Sequence, residues 1–231
     1  MRIGLIAPPW TPIPPVLYGG IELVVDQLAR GFQEAGHEVL LYTTGDSTCP
    51  VPRQWVLPVA EGQRIGMAVP ELRHVLHAYE AVAGCDVVHD HTIMGPFHAA
   101  LYPDLPVATT IHGPFNEELT DLYRATADRV PLIAISHAQH RAAPEIPVAR
   151  VIHHGVEAAQ FPMGDGAGDA DGPYLLFLGR MADDKGCHRA IEVARRAGMS
   201  RMSPTAPLVM SRPASAFRST PAEKARPSPV S

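Results

Sequence analysis

The chain reads as a doubly wound α/β protein on a parallel sheet, and three observations predict it. Short β-branched runs alternate with stretches of helical period through the first 160 residues, as successive βαβ units do. Several of the runs are almost continuously apolar, as strands covered on both faces are. The opening segment also forms a full unit by itself: strand, Pro- and Gly-rich loop, amphipathic helix, second strand.

Arg2–Ala7 predicts a buried strand. The loop Pro8–Tyr18 leads to Gly19-Gly20 and then to a helix reaching about Ala35. Its apolar residues Ile21, Val24, Val25, Leu28 and Phe32 recur at helical spacing. Asp26 and Arg30 are placed to pair one turn apart on the opposite face, and Gly36 supplies the stop. Glu38–Thr44 is the second strand. Further strands are expected at about Gln54–Val59, Asp86–Asp90, Val107–Ile111, Leu132–Ile135 and Ala149–His153. Helices are expected at about Met67–Ala83, Pro96–Leu101, Glu117–Ala127 and Ser136–Arg141. In such a sheet ligands gather at the C-terminal ends of the strands.

The pattern divides the chain. Residues 1–159 form the first domain, and 160–173, rich in Gly, Asp and Pro, read as a linker. Residues 174–198 open a second unit, with a strand at Tyr174–Leu178, a loop at Gly179–Gly186 and a helix at Cys187–Ala197. Its apolar face, Leu176, Leu178, Ile191 and Ala194, is expected to need cover, because a lone βα unit forms no independent core. Residues 199–231 carry Pro and Ser without either period and read as a disordered tail.

Composition narrows the function classes. At 231 residues the chain holds one full domain and part of a second. With 46% hydrophobic and 19% charged residues it is ordinary for a soluble globular protein. A formal charge of −5 excludes a bulk polycationic nucleic-acid binder. The three cysteines, Cys49, Cys85 and Cys187, make neither a disulfide framework nor a CxxC knuckle, which favours a reducing compartment. The N-terminal apolar run is too short for a secretory leader, and no stretch has the length of a membrane span. A cytoplasmic protein is expected, with surface contact to a membrane left open.

Three constellations could carry chemistry. Gly19-Gly20 stands before a helix, where free N–H groups and the positive helix end suit an anion, with Glu22 in the first turn. A turn that merely needs positive φ is the equal alternative. The spacing is not G-x-G-x-x-G, which counts against a nicotinamide-dependent oxidoreductase. His112 in TTIHGP follows a strand directly, where a neutral imidazole can meet a sugar hydroxyl or developing charge, or else cap a loop carbonyl. His89 and His91 in VVHDHT face one side of a strand end but lack a third ligand at motif spacing, so no metal is expected. His153-His154 reads as a strand exit. Arg180 and Lys185 in LGRMADDKG can converge on one phosphate, with Asp183 and Asp184 as competing partners.

Together the segments resemble family-4 glycosyltransferases of the GT-B fold. The residues carrying the likeness are the opening MRIGLIAPPWTPIPPVLYGGIELVVDQLARGFQEAGHEVLLYTTGDS, then DVVHDHT, PVATTIHG, PLIAISHAQ, RVIHHGVE and YLLFLGRMADDKGCHRAIEVARRAG, over residues 1–198. The resemblance implies two Rossmann-like domains and transfer of a sugar from a nucleotide-sugar donor to a glycan, lipid or small-molecule acceptor. It further implies retention of configuration, no active-site metal and no cofactor, the nucleotide sugar being a substrate. Gly19 and Gly20 match the loop that approaches the donor diphosphate, His112 the histidine beside the donor sugar, and Arg180 and Lys185 the cations on the leaving group. Asp90 matches a variable position and takes no role. The family's E-x7-E motif has no counterpart: after Gly198 the only glutamate is Glu223. A truncated product or a change of reading frame would account for that. Weak or absent transfer is then expected of this chain, with a non-catalytic acceptor- or partner-binding half-domain as the alternative.

Overall fold

The structure, a computed structural model, describes residues 1–158, 175–177, 183–198 and 202–204. It divides into two units, Met1–Met163 and Gly164–Ser231. The first unit contains strands β1 (Arg2–Ile6), β2 (Glu38–Tyr42), β3 (Arg53–Gln54), β4 (Val87–Asp90), β5 (Val107–Ile111), β6 (Leu132–Ala134) and β7 (Val148–Val151). Its helices are α1 (Gly20–Glu34), α2 (Ala68–Val82), α3 (Gly95–His98), α4 (Glu117–Arg124) and α5 (His137–Ala142). All seven strands are parallel, in the order β3-β2-β1-β4-β5-β6-β7. This is the Rossmann-like, doubly wound order that the alternation predicts.

Side-chain alternation sorts the core into two layers. Ile3, Leu5, Val39 and Leu41 pack with Val25 and Ala29 of α1. Ile6, Leu40, Tyr42 and Val88 pack with Val75, Tyr79 and Val82 of α2 on the other face. Gly4 lets α2 pack close on the sheet: a Cβ there would stand 3.0 Å from that of Val82. A third cluster, Ile111, Tyr123, Leu132, Ala143 and Ile146, fills the space under α4 and α5.

Local signals account for most boundaries. α1 ends in a Schellman motif. Gly36 has φ 84°, its N–H donates to the Gln33 carbonyl, and the His37 N–H donates to that of Phe32. Asn116 and Ser136 cap α4 and α5 by accepting from the Leu119 and Gln139 N–H groups.

Four expectations need correction. Asp26 does bond Arg30, at 2.7 Å, but it is buried on the inner face of α1 beside Cys49 rather than on a solvent face. The third strand is Arg53–Gln54 and not Gln54–Val59. Pro58 lacks a ladder donor, and the segment folds back instead, Leu57 accepting from Gly45 N–H and Ala60 N–H donating to Asp46. The helix expected over Pro96–Leu101 is the single turn α3 followed by a 3-10 turn, Ala99–Leu101. β7 ends at Val151, so His153 and His154 lie beyond the strand.

In the second unit, β8 (Leu175–Phe177), a 3-10 turn at Asp183–Lys185 and α6 (Cys187–Arg196) lead to β9 (Met202–Pro204), which pairs in parallel with β8. The helix expected at Cys187–Ala197 is therefore followed by a strand, inside the stretch read as tail. Ala194 is buried and Ile191 partly so. Leu178, Arg180, residues 160–173 and the rest of 199–231 lie outside the described residues.

Candidate functional site

Parallel strands end together, so the loops after β1, β4, β5 and β7 all leave from one edge of the sheet. The strand order reverses between the adjacent strands β1 and β4, the position where open α/β sheets leave a crevice. His91, the first residue after β4, is tied to the end of β1 by its N–H, which donates to the Ile6 carbonyl at 2.9 Å.

Four imidazoles form a column along this edge. His89 and His91 have ring centroids 4.2 Å apart, His91 and His112 5.1 Å, and His112 and His154 5.1 Å in a stacked pair. His91 Nδ1 and His112 Nε2 lie 2.8 Å apart, one ring donating to the other. His89 Nε2 and Thr110 Oγ1 are 2.7 Å apart. His91 is buried and its Nε2 has no partner among the described residues.

Burial keeps these rings neutral. It lowers His89 to about 4 and His112 to about 3, the neighbouring His154 and His89 adding to the fall at His112. His91 is driven well below the ordinary imidazole value by burial and then by the other three rings. Neutral imidazoles at a strand edge offer one donor and one acceptor each, which suits hydroxyl groups. Among the described residues no group of three or more His, Cys, Asp or Glu side chains is placed to hold a metal ion.

Two buried carboxylates stand on the α2 side of this edge. Asp90 Oδ2 accepts from the Tyr79 hydroxyl at 2.7 Å, while Oδ1 accepts from Thr92 N–H and Oγ1–H at 2.7 and 2.8 Å. Burial raises Asp90 to about 6 against these bonds. Glu71 of α2 accepts from the Ile93 N–H at 2.7 Å and is also raised by burial. Asp90, given no role in the sequence reading, thus holds the turn that carries His91.

At the diglycine, Gly19 has φ −171°, and Gly20 is not among the positive-φ glycines, so the turn alternative falls. Gly19 is needed for close approach: a Cβ there would come within 2.6 Å of Glu22 Oε2 and 2.8 Å of Pro15 Cβ. Gly20, the first residue of α1, faces open space. Glu22 is buried, raised by that burial, and bonded to its own backbone and to Thr11.

The structure therefore brings His112 into one column with His91, His89 and His154, at the edge from which the diglycine loop also leaves. Lys185 lies in the second unit, in the 3-10 turn before α6, and Arg180 lies outside the described residues. Sequence reasoning took His154 for a strand exit with no role at the site and passed over Gln139. Spacing could not have shown the first, but Ser136-x-x-Gln139 is a recognisable capping pattern.

The family model described as Glycosyltransferase Family 4 matches residues 18–160. Among solved structures, AviGT4, a glycosyltransferase involved in avilamycin A biosynthesis, aligns with 27% identity and TM-score 0.57 over 87% of this chain and 55% of its own. HepE of Anabaena in complex with UDP-glucose aligns with 15% identity and TM-score 0.63, over 88% of this chain and 59% of its own. The second likeness is one of fold. The chain thus spans between half and two thirds of these structures. No curated protein matches it.

Proposed function

The chain belongs to glycosyltransferase family 4, and from that premise we propose that it serves transfer of a sugar from a nucleotide-sugar donor to a glycan, lipid or small-molecule acceptor. The observation that carries the reading is the neutral histidine edge around His112, at the C-terminal ends of β4 and β5 and next to the switch point. In the reaction the bond from the anomeric carbon to the diphosphate oxygen breaks, a bond to an acceptor hydroxyl oxygen forms, and the hydroxyl proton is released as the nucleoside diphosphate departs. His112 would sit beside the donor sugar. Gly19 and Gly20 would admit the diphosphate, Gly20 having nothing in front of it. Arg180 and Lys185 would meet the negative charge left on phosphate, where fixed cations are worth most.

Retention of configuration, a site without metal or cofactor, and a cytoplasmic setting belong to the same proposal. Cys49, Cys85 and Cys187 are free thiols, in keeping with that compartment. No helix among the described residues is long and apolar enough to cross a membrane.

Turnover of a nucleotide-sugar panel by the purified chain, followed by mass spectrometry, tests the reading. His112→Ala is expected to lower kcat/KM by about a hundredfold, the scale of losing one positioned donor. A thermal shift with acceptor glycans, none with nucleotide sugars and no transfer would instead identify an acceptor-binding module.

A further inference from the structure

His112 stands one residue beyond β5, where the sheet ladder no longer fixes the main chain. One side chain from the neighbouring helix takes over. Gln139 of α5 donates from Nε2 to the carbonyls of Ile111 at 2.9 Å and Gly113 at 2.7 Å, and its Oε1 accepts from the Ile135 N–H at 2.8 Å. The three bonds fix the orientation of the amide, since exchanging N and O would set oxygen against two carbonyls. Both carbonyls so held flank His112.

We infer that Gln139 is a positioning residue for His112, holding the main chain on both sides of it so that its imidazole stands between His91 and His154. The inference rests on the reading of His112 as part of the transfer site. The Gln139 N–H in the first turn of α5 is satisfied separately, Ser136 Oγ accepting from it at 3.0 Å. The amide's N–H groups are spent on β5 and its exit, and its oxygen on the Ile135 N–H at the entry to α5. Misplacing a reacting group by about 1 Å can cost a hundredfold in rate, so a clasp at this point acts on catalysis through His112.

The test is Gln139→Met, which keeps the length of the side chain and removes every bond. Side-chain NMR of the 15N-histidine-labelled chain reads the result. In the wild type His112, held to about 3, stays neutral over the range in which the protein is folded. In Gln139→Met its ring signals are expected to shift and its titration to climb toward the ordinary imidazole range. His74, which donates from α2 to the Ala7 carbonyl, is the internal reference and stays put. Ser136→Ala removes the cap but not the clasp: it lowers Tm and leaves His112 unmoved. Should Gln139→Met fail to fold, Gln139→Asn, one methylene too short to span both carbonyls, carries the same readout.

Where the wild type transfers sugar, Gln139→Met lowers kcat at least tenfold, yet costs nothing further in a His112→Ala background. Unchanged His112 signals in a folded variant overturn the inference, as does a joint shift of His74 and His112. Transfer by the wild type that His112→Ala leaves unchanged counts against the site reading instead, and leaves the NMR comparison to decide the role of Gln139.

Discussion

Gly95→Ala is expected to cost about 4 kcal/mol or more and to leave little folded protein. A Cβ at Gly95 would overlap the Asp90 carboxylate and come within 2.7 Å of Thr92 Oγ1. Asp90 has no exposure to solvent, so it cannot swing into water without opening the layer under α2 and α3. Displacing it strands the Tyr79 hydroxyl and both Thr92 donors, and each buried unsatisfied group costs about 1–3 kcal/mol. Gly95 N–H also loses its 2.9 Å bond to Thr92 Oγ1. The sum consumes much of a typical margin of about 5–15 kcal/mol. For a chain of this size it corresponds to a fall in Tm of about 10 °C or more. Asp90→Ala combined with Gly95→Ala makes room for the new methyl, so the double variant is expected to lose less than the two single losses added together. Thermal unfolding of the three variants decides it. A Gly95→Ala protein melting with the wild type would mean that Asp90 does not occupy this position.

Little of this network was legible in the sequence. The strands were, because β1 and β2 are covered by helices and write that cover as near-continuous apolar runs, while β4 and β5 open on Val87-Val88 and Val107-Ala108. β3 was not, because its run of apolar residues is broken by Pro58 and serves the fold-back instead. β9 was hidden for a similar reason: three residues ending in Pro204 carry no period. At the site, the positions of His89, His91 and His112 at strand ends followed from alternation and loop chemistry. Their assembly into one column did not, since it depends on adjacency of β4 and β5 in the sheet, and on His154 arriving from beyond β7. Asp90 looked idle because its partners Tyr79, Thr92 and Gly95 form no spacing motif. Gly19 showed itself as a glycine, but its reason is the approach of Glu22 and Pro15, which no local rule states.

The same buried imidazoles make the protein acid-labile. His74 and His89 are lowered to about 4 and His112 to about 3, burial being the largest cause in each, and His91 falls well below the ordinary value. In the unfolded chain these rings titrate near 6.5. Between about pH 6.5 and 4 the unfolded state therefore binds more protons than the folded one, and stability falls as pH falls. Each ring contributes about 1.4 kcal/mol per pH unit within its window. The buried carboxylates act the other way. Asp90, raised to about 6, and the raised Glu22 and Glu71 are protonated more readily in the folded state, so they add stability as pH drops toward 4. Four imidazoles against three carboxylates leave a net loss of at least about 1.4 kcal/mol per pH unit near pH 5, and more wherever the carboxylate offsets are only partial. Between about pH 6.5 and 4 that slope removes at least about 3.5 kcal/mol, a large part of an ordinary margin of about 5–15 kcal/mol. His74→Gln keeps a donor for the Ala7 carbonyl without a titrating ring, and is expected to reduce proton uptake on unfolding by about one. Urea midpoints measured from pH 7 to 4.5 read the slope directly; a flat or rising profile would show that these rings are not held neutral by the fold.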